Sequence, residues 1–293
     1  MRILITGGKG QLGQALRHAL TADEAHALGH ANLDITDEIA LHRTLSELRP
    51  DVVIHAAAWT DTAGCERDPT HATQVNGVAS GFVAKACHEA GAAMVYVSSN
   101  EIFDGEKRSP YVEEDEPNPI NKYGHSKLEG ERSVRSALER FYIVRTSWLY
   151  GPGRVSFPEK IVQTARQKGS LKLVTDEMAS PTWTVDLATA IARLIRKPAY
   201  GVYHLTNSGD CSRMEWAKEI LRLAGLQDIL VQPATQADFG APFRKPVFSA
   251  LANVTAAGLG IEMRPWKEAL ADHFRGASHD PNVVMPVRSK IGP

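Results

Sequence analysis

Met1-Arg2-Ile3-Leu4-Ile5-Thr6 is a short apolar run that leads directly into Gly7-Gly8-Lys9-Gly10-Gln11-Leu12-Gly13. A helical pattern follows at once, with Leu12, Leu16 and Leu20 on one stripe. Glycines 7, 10 and 13 therefore form G-x-x-G-x-x-G between a strand and a helix. That spacing suits a tight turn, a close backbone approach to a diphosphate, and close helix–strand packing. The helix start offers free N–H groups and the positive end of its dipole to phosphate. A glycine motif alone is weak, but the strand–turn–helix context gives it meaning. Gly7, Gly10, Gln11, Leu12 and Gly13 are the candidate contacts of a dinucleotide cofactor.

Outward from this turn, strands and helices alternate. Ala25–Leu28 reads as a second strand, Val52–His55 as a third, Met94–Ser98 as a fourth and Tyr142–Arg145 as a fifth. Helices are expected over Asp37–Leu48, stopped by Pro50, over Pro69–Ala90, ended by Gly91, and over Tyr123–Arg140. The βαβα order implies an α/β fold with a doubly wound parallel sheet of Rossmann type. Ligands bind at the carboxyl ends of such strands, so Gly10, Ala56–Trp59, Ser99 and Trp148 should meet in one crevice. The second half is less regular. Helices are expected over Phe157–Lys168 and Asp186–Arg196, after the capping box Ser212-Arg213-Met214-Glu215, and after Pro265 over Trp266–Phe274. The expected organisation is a dinucleotide-binding domain over 1–150 and a smaller, mainly substrate-binding domain over 151–275, with some elements returning to the sheet. Residues 276–293 read as a loose tail.

Composition narrows the class. The chain has 293 residues, 43% of them hydrophobic, and a net charge of −1. That balance carries no electrostatic footprint for nucleic acid. No apolar run approaches the ~20 residues that span a bilayer. Three widely spaced cysteines (Cys65, Cys87, Cys211) fit reduced thiols better than a disulfide framework or a zinc site. Met1-Arg2 runs straight into a strand, so a cytoplasmic protein without a signal peptide is expected. Eleven histidines show no tight ligand spacing, and no metal is expected.

Chemistry is suggested by Asn121-Lys122-Tyr123-Gly124-His125-Ser126-Lys127. On a helix, Tyr123 and Lys127 leave on one face, one turn apart. A phenol titrates near ~10, and a neighbouring ammonium favours its ionised form. A tuned tyrosine can pass a proton to or from a substrate oxygen. Ser99 lies at the end of the fourth strand, where a hydroxyl can hydrogen-bond a carbonyl and steady the tyrosine's proton.

Further blocks carry a resemblance. They are Leu33-Asp34-Ile35-Thr36-Asp37, Arg49-Pro50-Asp51-Val52-Val53-Ile54-His55-Ala56-Ala57-Ala58-Trp59-Thr60, Val75-Asn76 and Ser98-Ser99-Asn100-Glu101-Ile102-Phe103-Asp104-Gly105. After Tyr123–Lys127 come Leu128-Glu129-Gly130-Glu131, Arg145-Thr146-Ser147-Trp148-Leu149-Tyr150-Gly151, Ser180-Pro181-Thr182 with Asp186-Leu187-Ala188, and Gly201-Val202-Tyr203-His204. In order and spacing, over roughly residues 1–275, these resemble the dTDP-4-dehydrorhamnose reductases, within the extended short-chain dehydrogenase/reductases.

The resemblance implies an NADPH-dependent reduction of the C4 ketone of a nucleotide-activated 6-deoxy sugar. Tyr123 would protonate the C4 oxygen as hydride reaches C4. Lys127 would hold the nicotinamide ribose and lower the tyrosine's pKa. Trp148 would lie against the substrate's sugar or base. Asn100 and Glu101 depart from the family's usual Ser-Thr-Asp-Tyr pattern. Asn100 can hydrogen-bond a sugar hydroxyl, and Glu101 stands where related nucleotide-sugar dehydratases carry a base. The acidic residue expected after strand two, which reads a ribose 2′-OH, is replaced by Gly29-His30. His30 could approach a 2′-phosphate, so NADPH is preferred, with NADH the alternative. Asp34 and Ile35 would border the adenine, and the small Ala56, Ala57 and Ala58 let a cofactor lie close. Arg154 and Arg244, the latter in Arg244-Lys245-Pro246 before Ser249-Ala250-Leu251, are candidates for a diphosphate. Family positions for magnesium-binding glutamates hold Ala15 and Val185. Two competing readings stay open: a nucleotide-sugar dehydratase or epimerase, and a non-catalytic NADP-binding regulatory subunit resembling the β subunit of methionine adenosyltransferase. A homodimer also stays open.

Overall fold

The computed structural model describes residues 1–240 and 243–277; residues 278–293, most of the expected tail, lie outside the described residues. In the first half, strands β1 (Arg2–Thr6), β2 (Glu24–Leu28), β3 (Val52–His55), β4 (Ala93–Ser99) and β5 (Phe141–Thr146) alternate with helices. These are α1 (Gln11–Ala19), α2 (Glu38–Leu48), α3 (Thr62–Arg67), α4 (Pro69–Ala72), α5 (Ala79–Ala90) and α6 (Lys122–Ala137). The second half adds strands β6 (Leu149–Tyr150), β7 (Ser170–Val174), β8 (Met178–Ala179), β9 (Thr182–Trp183), β10 (Gly201–His204), β11 (Cys211–Ser212) and β12 (Leu230–Ala234). Its helices are α7 (Phe157–Lys168), α8 (Thr184–Leu194), α9 (Arg213–Leu223), α10 (Val254–Gly258) and α11 (Trp266–Ala277).

Six strands form one parallel sheet in the order β10-β5-β4-β3-β1-β2. The order in which strands are added reverses between β1 and β3, which opens a crevice at their carboxyl ends. Strands β1 and β3 are almost wholly buried because the sheet is covered on both faces. On one face Leu12 and Leu16 of α1 and Leu187 and Ile191 of α8 pack on Ile3, Ile5 and Ile54. On the other, Leu41, Leu45, Val83 and Val134 pack on Leu4, Val53, Met94 and Tyr96. A third cluster, built around Trp216, Tyr150, Leu171 and Leu270, belongs to the second half.

Local punctuation explains most boundaries. Asp37 caps α2 by accepting from the Ala40 N–H at 2.9 Å, and Gly91 ends α5 with φ 67. Ser212 and Glu215 form the reciprocal capping box of α9. Four expectations need correction. The helix over Pro69–Ala90 is interrupted by a π-helical stretch at Thr73–Val78. There the Asn76 carbonyl accepts from Ser80 Oγ at 2.8 Å and Tyr96 OH at 3.2 Å, so side chains replace part of the α ladder. The helix from Tyr123 stops at Ala137, since Leu138 is already extended and Phe141 begins β5. The helix expected over Asp186–Arg196 runs from Thr184 to Leu194. The last helix continues to Ala277, past the expected start of the tail at 276.

Candidate active site

The β1–α1 turn is compact because three glycines leave no room for side chains. Gly7 sits at φ 70, and a Cβ there would lie 2.7 Å from the Ala57 nitrogen. At Gly13 a Cβ would lie 2.3 Å from the Gly7 carbonyl. Gly10 is the N-cap of α1, with no side chain capping the helix. The first-turn N–H groups of α1 thus remain for a ligand.

These residues form one end of a cleft of about 410 Å³ along the carboxyl ends of the strands. Gly7, Gly10, Gln11, Leu12 and Gly13 line it together with Ala56 and Ala58. Ser98–Glu101, Tyr123, Lys127, Thr146–Leu149, Arg154–Phe157 and Lys160 line the rest of it. Thr146 Oγ1 and Ser147 Oγ, both in this lining, are buried without a hydrogen-bond partner. Buried polar atoms normally find one. Together with the uncapped helix, they fit the polar groups of a dinucleotide.

Helix α6 delivers Tyr123 and Lys127 to the cleft. Asn121, its N-cap, accepts from the Gly124 N–H at 2.8 Å and donates to Glu101 Oε2 at 2.8 Å. Gly124 presses against the short 3₁₀ turn Asn100–Ile102, where a Cβ would fall 2.0 Å from the Glu101 carbonyl. The same turn is capped by Ser99, whose Oγ accepts from the Glu101 N–H at 3.2 Å. Ser99, Glu101 and Tyr123 are therefore braced as one unit.

The electrostatics differ from expectation. Burial raises the Tyr123 phenol well above its ordinary value, the Glu101 charge adds to this, and a hydrogen bond from Ser99 opposes it. Lys127 does not pull the phenol down. Its own ammonium is pushed down to about 7 by burial, against the pull of Glu131. It stands 4.2 Å from the Tyr96 ring centroid. Desolvation outweighs the neighbour effect at both groups.

Behind Lys127 lies a pair that sequence reasoning quoted but gave no role. Glu131 Oε2 meets Arg145 Nη2 at 2.9 Å and Oε1 meets Nε at 3.0 Å. Ser98 Oγ adds a hydrogen bond to Glu131 Oε1 at 2.6 Å. The Lys127–Glu131 spacing of four was the available signal. A second buried unit, Thr6 Oγ1···His55 Nδ1 at 2.7 Å and His55 Nε2···Ser80 Oγ at 3.2 Å, lies beneath the β1–β3 crevice.

The departures from the family pattern are accounted for as follows. Asn100 donates to Ser249 Oγ at 2.7 Å, so its amide ties the 249 segment to the cleft as well as lining it. Glu101 lines the cleft, and its carboxyl is raised by burial while Lys245 and Asn121 pull it down. Trp148 lines the cleft too, with Arg213 across one face.

Several expected contacts are not brought to the cleft. His30 is exposed and lies 3.9 Å from Asp34. Asp34 is engaged by the Thr36 N–H and hydroxyl at 2.9 and 2.7 Å, and Ile35 is buried in the core. None of the three lines the cleft, and Ala57 packs against Gly7 instead. Arg154 does line it; Arg244 is exposed and outside that lining, and its carbonyl accepts from Asn121 Nδ2 at 3.3 Å, beside Glu101. The Gln11 amide donates to the Gly151 and Arg154 carbonyls at 2.8 and 3.1 Å, so its side chain fastens the 151–154 segment to the glycine turn. Among the described residues, no group of three or more His, Cys, Asp and Glu could hold a metal ion.

A family model described as RmlD substrate binding domain matches residues 1–278. A dTDP-4-dehydrorhamnose reductase of Streptomyces griseus is 37% identical over 283 residues, which is 93% of this chain and 93% of that protein. A dTDP-4-keto-6-deoxy-D-glucose reductase of Streptomyces niveus is 33% identical, covering 93% of this chain and 96% of that protein. Among solved structures, the dTDP-4-dehydrorhamnose reductase of Bacillus anthracis in complex with NADP matches with a TM-score of 0.91 and 34% identity, covering 94% of this chain and 99% of that one.

Proposed function

The chain belongs to the family described as RmlD substrate binding domain, and on that premise we propose that it reduces the C4 ketone of a dTDP-linked 6-deoxy sugar with NADPH. The observation that carries this reading is the meeting of the uncapped glycine turn with Tyr123, Lys127 and Ser99 in one cleft. When bound, NADPH supplies the hydride. Tyr123 donates its phenolic proton to the C4 oxygen, and its raised pKa keeps that proton in place at neutral pH until negative charge develops on the oxygen. Ser99 hydrogen-bonds the same oxygen and orients the phenol. Lys127 stands near neutrality by itself, and the phenolate left on Tyr123 favours its protonated form. Thr146 and Ser147 present hydroxyls that have no partner in the protein and would serve polar groups of the bound cofactor.

We take residues 1–150 as the cofactor-binding part and 151–275 as most of the nucleotide-sugar side, with α8 and β10 returning to the main sheet. Three buried, unpaired cysteines suit a reducing compartment.

The test is NADPH oxidation, followed by absorbance, with dTDP-4-dehydro-L-rhamnose and with dTDP-4-keto-6-deoxy-D-glucose, NADH run in parallel. Consumption with one of the two sugars supports the reading and names the substrate. Tight NADPH binding with no turnover of either would overturn it in favour of a binding role.

A further inference from the structure

Trp148 is strained. Among the described residues only it and Arg49 are non-glycine residues at positive φ, Trp148 at 42. A bulky residue persists in that region only when its surroundings hold it. What holds Trp148 comes from a distant part of the chain. Arg213, the first residue of α9, places its guanidinium carbon 3.6 Å from the centroid of the Trp148 ring, and stands 5.1 Å from that of Phe157. Trp216 stacks on Trp148 at 5.5 Å with an interplanar angle of 11°. The guanidinium is itself fixed, with Nε and Nη2 donating to Glu177 Oε1 at 3.1 and 2.9 Å. Burial would raise the Glu177 carboxyl, but Arg213 and then Lys245 outweigh it and hold it below its ordinary value. Lys245 Nζ lies 3.9 Å from the same oxygen.

We infer that Arg213 is a positioning residue: its flat guanidinium, anchored on Glu177, holds the Trp148 indole in its strained position as a wall for the sugar ring of the substrate. Trp148 and Phe157 line the cleft beside Ser147. An aromatic face suits the C–H face of a pyranose. A planar cation stacks on indole, whereas a lysine ammonium fits the carboxylate but not the ring. The inference rests on the reductase reading for the identity of the ligand.

The test is Arg213→Lys, which keeps a charge beside buried Glu177. KM for the nucleotide sugar is expected to rise about tenfold, kcat to stay within about threefold, and NADPH affinity to stay unchanged. In a Trp148→Phe background the same change should leave KM where Trp148→Phe put it. An unaltered KM, a matching fall in kcat, or a weakened NADPH affinity would each overturn the inference. Circular dichroism supplies a readout independent of activity. The coupled band of the stacked Trp148–Trp216 pair should vanish in Trp148→Phe and shrink in Arg213→Lys. A full-strength band in Arg213→Lys would overturn the positioning role. If the wild-type protein turns over neither sugar, the functional reading fails, and the dichroism still decides whether Arg213 sets the indole.

Discussion

Tyr123 and Lys127 are each shifted by burial in a direction that matters for proton transfer. Tyr123→Phe removes the acid and keeps the ring. It is expected to lower kcat by ~10²–10⁴ while NADPH binding, followed by fluorescence titration, stays within about twofold. Unchanged turnover would remove Tyr123 from the chemistry. Lys127 makes a separate statement about stability. Its ordinary value is 10.5 and its value in the fold is about 7. Between those values the unfolded chain holds the proton and the folded chain does not. Stability therefore rises with pH across this window, and below about 7 the cost of burying the charge is constant. Denaturant unfolding at pH 7 and pH 9 should show that rise in the wild type and its loss in Lys127→Met. Parallel behaviour of the two proteins would mean that Lys127 keeps its proton in the fold.

At the scale of elements, the site depends on α6 lying flush on the Asn100–Ile102 turn. Gly124 permits that contact, its virtual Cβ falling 2.0 Å from the Glu101 carbonyl. Gly124→Ala must separate helix and turn, moving Tyr123 away from Ser99. The expected result is a loss of about 1–3 kcal/mol in stability together with at least about a tenfold fall in kcat/KM, because small misplacements at a reacting centre are costly. Gly258→Ala is the control, since nothing lies within 4 Å of that position. It should be neutral or stabilising by up to ~1 kcal/mol. Melting curves and steady-state rates on both variants check this, and equal effects would remove the special status of Gly124. The contact also marks what sequence reading can reach. Strands β1, β3, β4 and β5 announce themselves by buried apolar runs, α2 by its stop at Pro50 and α9 by its capping box. The glycine turn, Ser99, Tyr123 and Lys127 sit at the ends or starts of those elements, so their convergence follows from topology. The π-helical stretch at Thr73–Val78 and the two-residue strands β6, β8, β9 and β11 carry no period of their own. They exist because of partners far along the chain. The same holds for Arg213 on Trp148 and Glu177, whose 36-residue separation from Arg213 no local pattern encodes. His30 is expected from its place after strand two and Arg244 from the resemblance of its block, and neither signal fixes where a side chain turns.

Across the whole molecule, the central sheet buries two neutral histidines, His55 on β3 and His204 on β10. Burial, assisted by the Lys127 charge, pushes His55 down to about 3 from 6.5. Burial, assisted by Arg145, does the same to His204. As pH falls from about 6.5 towards 3, the unfolded chain takes up these protons and the folded chain refuses them, so stability is lost throughout that window. Each full proton contributes a slope of about 1.36 kcal/mol per pH unit, so the pair contributes up to ~2.7. Partly buried His125, also shifted down by burial, adds to the same sign. Glu101 acts in the other direction: its carboxyl is raised, so the fold accepts that proton more readily than the unfolded chain as acid is added. Glu177 and Glu159, both held below their ordinary values despite burial, join the histidines only below about 4.5. In the interval from pH 6.5 to 5 the histidines therefore work against Glu101, above the range in which Glu177 and Glu159 contribute. Denaturant midpoints measured there should fall steeply in the wild type and by about one proton's slope less in His55→Asn and in His204→Asn, whatever either variant costs in absolute stability. A slope that survives intact in both would assign the acid sensitivity to other groups.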